Sequence, residues 1–331
     1  MPASNVHTIA DGFARTTALV VGDVMVDAYL WGRVDRISPE APVPVVQVTR
    51  RSARLGGAAN VARNLHALGA TPIVVSVTGD DDHARTLEQL LQAEGLRADG
   101  LVRSAARRTT VKTRIISGHQ HVVRVDEEME GDITPDEEEL LLARVEALIR
   151  TTSPGVIVLE DYNKGVLTAR TIEGVIALAK AAGVPVAVDP KQRNFFAYRG
   201  VDLFKPNLKE LREGLKTDIP AGDIHAVRRA VAQLEARLGN AISLITLSEH
   251  GVYAHRAGDE HSEPAHARSI ADVSGAGDTV IAVAALLLAQ GAPLATLAGW
   301  ANLAGGLVCE HVGVVPVERE RLLAEAEQLP R

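Results

Sequence analysis

From Val156 to Leu247 short apolar runs alternate with longer segments of helical periodicity, and this alternation limits the fold more than any other feature. Val156–Leu159, Val184–Val188 and Ile242–Leu247 read as buried strands, with Leu203–Phe204 as a shorter apolar step. Thr168–Ala182 and Asp223–Arg237 read as the intervening helices. Strands joined by helices pair in parallel and are covered on both faces, so the chain belongs to the α/β class. Ala18–Gly22 and Ile73–Val77 extend the strand set, and Val61–Leu68, Asp81–Gly95 and Thr134–Arg150 the helix set. The last helix has a clear start in Thr134-Pro135-Asp136-Glu137: a cap, a proline at the first position and acids in the first turn. Two short strands, Val252–His255 and His266–Ile270, precede three closing helices at Thr279–Gln290, Leu294–His311 and Glu318–Gln328. No break in composition divides the 331 residues, so one folding unit over 1–331 is expected.

A second pattern stands apart from the first. Trp31–Arg51 is rich in Pro, Arg and Val, and Pro39, Pro42 and Pro44 suit an edge strand or lid around Val43–Val48. Thr109–Ile116 and His121–Asp126 alternate and are joined by Ser117–Gln120, which predicts a β-hairpin with one polar face. Lid strands are therefore expected from about 31–51 and 107–126. His119 and His121 have no third ligand nearby and read as exposed turn residues.

Charge and cysteine usage narrow the function. Thirty-five basic residues against 42 acidic ones leave a net charge of −7, which argues against nucleic acid as a partner. The single cysteine, Cys309, lies in an apolar helix and forms no internal disulfide. The first 17 residues lack a signal-peptide pattern, and the longest apolar runs are too short for a bilayer. A cytoplasmic protein without a membrane partner is expected.

The chemistry concentrates in Asp272-Val273-Ser274-Gly275-Ala276-Gly277-Asp278-Thr279, which leads into the apolar run Val280–Leu288. The amides of Gly275, Ala276 and Gly277 at a helix N-terminus would suit phosphate oxygens, with Asp278 beside them as a proton acceptor. The same residues also fit a plain tight turn with a favourable first-turn carboxylate. Asp23 and Asp27 follow the first strand, where open α/β sheets bind ligands; they serve either sugar hydroxyls or a turn. Gly56 and Gly57 before Asn60 allow either close ligand approach or close helix packing. Arg33 adds positive charge on the lid. No P-loop, protein-kinase, dinucleotide or Gly-x-Ser-x-Gly motif is present.

Gly56–Asn60, Asn207-x-x-Glu210 and Gly275–Thr279, in that order, resemble the signatures of the PfkB, or ribokinase-like, carbohydrate kinases. Within that family, Gly22–Asp27, Arg36–Val46, Asp161-Tyr162-x-Lys164-Gly165 and Val188–Lys191 are similar to the heptose 7-phosphate kinases of lipopolysaccharide core synthesis. The absence of a His-x-Gly-His nucleotidyltransferase motif makes the resemblance one to a stand-alone kinase. Three positions depart from the pattern: Glu160 where Ser is usual, Ser274 for Thr, and Gln192 for Gly. The first leaves open whether Glu160 or Asp161 faces the sugar.

The resemblance implies a ribokinase-like three-layer sandwich with a mostly parallel sheet and a small β-sheet lid. It implies that Mg²⁺-ATP phosphorylates the anomeric hydroxyl of a phosphorylated heptose, with Asp278 as base and the Gly275, Ala276 and Gly277 amides holding the transferring phosphoryl. Asn207 and Glu210 would arrange Mg²⁺ through water, with Ser248, Gly251 and Asn302 at the nucleotide end. Asp272 would lie near a monovalent cation such as K⁺. Asp23, Asp27, Gly56, Gly57, Asn60 and Asp161 would meet the sugar. Lys112, then Arg33 and Lys191, would meet its 7-phosphate. Lid pairing implies a homodimer. The alternatives are another sugar kinase of this family or a sugar-binding regulator without catalysis.

Overall fold

The computed structural model describes residues 3–118, 120–266 and 268–329, without the side chains of residues 3–5. His119 lies outside the described residues; His121 is exposed. Nine strands form the main sheet: β1 (Thr17–Gly22), β4 (Thr71–Gly79), β5 (Leu101–Ser104), β8 (Val156–Glu160), β9 (Val186–Asp189), β10 (Leu203–Phe204), β11 (Ile242–Thr246), β12 (Val252–Arg256) and β13 (Asp259–Glu263). Their order is β13-β12-β11-β10-β9-β8-β1-β4-β5, parallel except for β12 and β13.

Alternation within each strand explains the layers. Ala18 and Val20 of β1 point to one core with Val156 and Val158 of β8; Leu19 and Val21 point to the other with Ile157 and Leu159. The first core is closed by α1 (Ala3–Ala14), α2 (Ala58–Ala67), α3 (Asp82–Ala93), α8 (Ala276–Ala289), α9 (Leu294–Val308) and α10 (Arg319–Ala326). The second is closed by α4 (Pro135–Thr152), α5 (Ala169–Ala182), α6 (Leu208–Leu215) and α7 (Ile224–Leu238). Every residue from Val280 to Leu287 is buried, so α8 runs through the core without a solvent face. At the start of α4, Thr134 and Glu137 cap each other's backbone as the sequence predicts. No helix among the described residues is long and apolar enough to cross a membrane.

The small sheet has the order β3-β2-β6-β7, from β2 (Val24–Ile37), β3 (Pro44–Gly57), β6 (Thr110–Ser117) and β7 (Gln120–Glu127). Its first two strands are longer than the Val43–Val48 segment read from the sequence, and Pro44 opens the edge strand β3. One strand is displaced: β12 pairs with Asp259–Glu263, whereas the described residues of 266–270 form no strand. The Ala257-Gly258 pair, both with positive φ, turns the chain back so that the second strand starts seven residues earlier than the apolar pattern suggested. The helices α1 and α6 and the strand β5 add to the elements expected.

Candidate active site

Strand order reverses between β1 and β8: β4 and β5 lie to one side of that pair, β9 to β13 to the other. Crevices outside the carboxyl ends of strands at such a point bind ligands. Here Gly22, Glu160 and Asp189 stand in register at the ends of β1, β8 and β9. Lys205 follows β10 and its Nζ pairs with Asp189 Oδ2 at 2.8 Å, both side chains being almost fully buried.

Over this edge lies the N-terminus of α8. Gly275 is its N-cap in the left-handed region (φ 80°), and a Cβ there would stand 3.0 Å from Asn60 Nδ2, so both backbone conformation and space favour glycine. The N–H of Ala276 turns back to Val273 O at 3.3 Å. Among the described residues no acceptor meets the N–H groups of Gly275, Gly277 and Asp278, which leaves them as the donors of an anion site. The three-amide expectation thus changes: Ala276 is the weakest member, and the Asp278 amide joins. Gly277 abuts the ion pair, since a Cβ on it would lie 3.6 Å from Asp189 Oδ2 and 3.8 Å from Lys205 Nζ.

Asp278 is buried, with one oxygen accepting from Asn60 Nδ2 at 2.6 Å and the other from the Tyr162 hydroxyl at 2.8 Å. Burial raises its carboxyl to about 6, although Asn60 and Tyr162 oppose the rise. Such a group is poised to accept a proton near neutral pH. Burial and the Asp278 charge push the Tyr162 phenol well above its ordinary range, so it remains a neutral donor.

Glu160 lies in the same cluster. One oxygen each from Glu160, Asp189 and Asp278 fall within 4.8 Å of one another. Both Glu160 oxygens and Asp189 Oδ1 are buried without a partner. Burial, then the charges of Asp189 and Asp278, push Glu160 well above the usual carboxylate range. These orphaned oxygens fit a hard cation or the hydroxyl groups of a ligand.

Several expected site residues are engaged elsewhere. Asp23 accepts the backbone N–H groups of Tyr162, Lys164 and Val166, so it holds the loop after β8 and is not free for a sugar. Asp161 accepts from the Tyr198 hydroxyl at 2.7 Å and from the Asn163 amide; Glu160, not Asp161, stands beside Asp278. Gly56 makes room for Asp27, whose Oδ2 would be 2.4 Å from a Cβ there, and Gly57 for the Asp23 carbonyl. Both glycines therefore serve internal packing. Asp27 pairs with Arg114 of the small sheet.

Asn207 and Glu210 form a reciprocal capping box on α6, and Glu210 also accepts from Lys191 Nζ at 2.6 Å. Each Glu210 oxygen thus already accepts one hydrogen bond. Lys191 lies over the Tyr162 ring at 5.3 Å. Asp272 accepts from Ser274 and from the Gly313 amide, bracing the turn before α8; none of these contacts shows a cation site. Ser248, Gly251 and Asn302 gather near one stretch: Gly251 packs on the Glu263 carbonyl, and Asn302 donates to the Pro264 carbonyl at 2.8 Å. Arg33 is exposed, and Lys112 is paired with Asp126 and Glu128. The sequence reading left Glu160 as an alternative to Asp161 at the sugar and assigned no role to Tyr162, Asp189 or Lys205. Their signal was present in the strand-end segments Glu160-Asp161-Tyr162, Asp189-Pro190-Lys191 and Lys205-Pro206-Asn207.

Comparison with known proteins agrees with this geometry. The bifunctional protein HldE of Caulobacter vibrioides is 47% identical over 314 residues, covering 94% of this chain. HldE of Rhodospirillum rubrum is 42% identical over 328 residues, covering 99%. The chain spans 64% and 65% of the length of these two relatives. Among solved structures, phosphofructokinase-2 from Escherichia coli in complex with potassium superposes with a TM-score of 0.77 at 19% identity, over 94% of this chain and 99% of that one. Arabidopsis thaliana ribokinase, complexed with ribose and ATP, gives 0.71 at 20% identity, over 93% and 98%. These two show a shared ribokinase-like α/β fold. The description of the pfkB family of carbohydrate kinases matches residues 15–320, and the chain belongs to that family.

Proposed function

We propose that the chain transfers the γ-phosphoryl group of ATP to the anomeric (C1) hydroxyl of D-glycero-β-D-manno-heptose 7-phosphate, giving the 1,7-bisphosphate and ADP. The observation that carries this reading is Asp278: a buried carboxylate beside the unpaired N–H groups of Gly275 and Gly277, at the strand edge where Lys205 stands. Identity above 40% to the HldE proteins supports it further. Asp278 takes the proton from the C1 hydroxyl as its oxygen attacks the γ-phosphorus. The amides and Lys205 stabilise charge on the transferring group. Tyr162, whose hydroxyl rests on Asp278, yields one carboxylate oxygen to the incoming hydroxyl.

Glu160 and Asp189, with their orphaned oxygens, and Glu210 through water are the groups that would hold Mg²⁺, which when bound screens the charge of the phosphates. Asp27 and Asn60 are the sugar contacts, Lys112 the first contact for the 7-phosphate, and Ser248, Gly251 and Asn302 the nucleoside end. A second copy of the chain is proposed to cover the small sheet. Val48, Val123 and Val125, on the side opposite Asp27, are 37%, 47% and 46% exposed. The test is ADP release with heptose 7-phosphate, wild type beside Asp278→Asn. The amide should lower kcat by about 10²–10⁴-fold with sugar binding retained. Wild-type turnover confined to other sugars would overturn the substrate assignment.

A further inference from the structure

On the small sheet Asp27 and Lys112 are paired across β2 and β6, so Lys112 shares the face that carries the sugar-site carboxylate. Lys164 lies two residues after Tyr162, whose hydroxyl touches Asp278. The two ammonium groups converge on one carboxylate. Glu128 Oε2 is 2.7 Å from Lys112 Nζ, and Glu128 Oε1 is 2.9 Å from Lys164 Nζ. Both lysine side chains are largely buried, 14% and 10% exposed, so their mutual repulsion needs an anion between them.

Glu128 is the first residue after β7 and is not part of its ladder. Lys112 keeps Asp126 at 3.2 Å and Lys164 keeps Glu130 at 3.3 Å, but Glu130 is 76% exposed. Burial works against ionisation of Glu128, yet the two lysines hold its carboxyl below the ordinary value, so it stays charged at neutral pH. A phosphate monoester carries nearly two negative charges and three acceptor oxygens. It therefore matches two converging ammonium groups better than a carboxylate does.

We propose that Lys112 and Lys164 together form the subsite for the acceptor's distal phosphate, and that Glu128 is an internal stand-in which the phosphate displaces. This deepens the kinase reading above and rests on it for the identity of the acceptor. Lys164 becomes a specificity-determining residue. Its backbone N–H holds Asp23, a contact that any side chain at this position preserves.

The test uses the full chain with a saturating non-hydrolysable ATP analogue and Mg²⁺, so that the amides before α8 are already occupied. Inorganic phosphate is titrated by calorimetry into wild type, Glu128→Gln, Lys164→Gln and Lys164→Arg. Glu128→Gln is expected to bind phosphate at least about tenfold more tightly, and Lys164→Gln roughly 10- to 100-fold more weakly, with Lys164→Arg retaining most of the affinity. In turnover, Lys164→Gln and Lys112→Met should raise KM for the phosphorylated acceptor by the same factor, leaving KM for ATP unchanged. Phosphate affinity indifferent to Glu128→Gln, or an acceptor KM indifferent to both lysine variants, would overturn the proposal. Turnover of a different phosphorylated sugar with all these shifts intact would remove the heptose assignment and keep the subsite. Turnover of heptose 7-phosphate without them would do the reverse.

Discussion

Replacing Asp278 by Asn should stabilise the fold while removing activity. The carboxyl titrates near 6 in the fold against 3.8 for a free side chain, chiefly because burial strips its solvent. A folded-state value above the unfolded one means that stability is complete below about pH 4 and declines as pH rises towards 6. At 1.36 kcal/mol per tenfold change in proton affinity, the decline reaches about 3 kcal/mol above pH 7 and about half that at pH 5. Asn keeps the shape and both partners: its oxygen can accept from Asn60, and its amide can donate to the Tyr162 hydroxyl, which is free to reverse its role. Reversible urea unfolding at pH 5 and pH 7.5 reads the difference. The variant should exceed wild type at both, by about twice as much at pH 7.5. A gap that is the same at both values, or that shrinks as pH rises, would refute the account of Asp278 as a carboxylate held ionised against burial.

Three further outcomes follow from the same geometry. Tyr162→Phe removes a donor that lowers the Asp278 carboxyl, so the acid limb of kcat/KM should move above the wild-type position near pH 6; a limb that stays or falls contradicts the contact. Lys205→Met removes the buried partner of Asp189, which should cost about 3–5 kcal/mol in urea unfolding at pH 7; a loss below about 1 kcal/mol would refute a structural role for the pair. Gly275→Ala places a methyl against Asn60 in a left-handed backbone, and should cost about 1–2 kcal/mol and lower kcat more than it raises the acceptor KM.

Asp278 and Asn60 were legible because each opens a helix at a sequence-marked N-terminus, and two such ends meeting at a strand edge bring the side chains together. The choice between Glu160 and Asp161 was not legible. Consecutive residues leaving a strand face opposite ways, and which one faces α8 depends on the register of β8 with β1 and β9. The Asp189–Lys205 pair depends on β10, only two residues long, whose pairing carries no periodic signal. Composition also misplaced the last edge strand. Asp-Glu-His-Ser-Glu has no apolar face to announce it, because an edge strand paired on one side is held by its backbone. For Asp23 the limit is chemical: a carboxylate that serves ligand hydroxyls and one that serves backbone amides are the same residue type, and only the path of the 161–166 loop separates them.

That distinction extends to the whole site. Tyr162 donates to Asp278, Lys205 to Asp189, Lys191 to Glu210, and Lys112 and Lys164 to Glu128, so apart from Glu160 the charged groups of the proposed site already have an internal partner. Substrate binding is then an exchange of partners, and its net free energy is the difference between two sets of charge-assisted contacts. Such differences are small unless the incoming group carries more charge or more donors than the group it replaces. A phosphate displacing a carboxylate meets that condition; an unphosphorylated sugar at the same lysines does not. On the proposed subsite, discrimination in favour of phosphorylated acceptors is therefore the attraction of Lys112 and Lys164 for the phosphate less the cost of releasing Glu128.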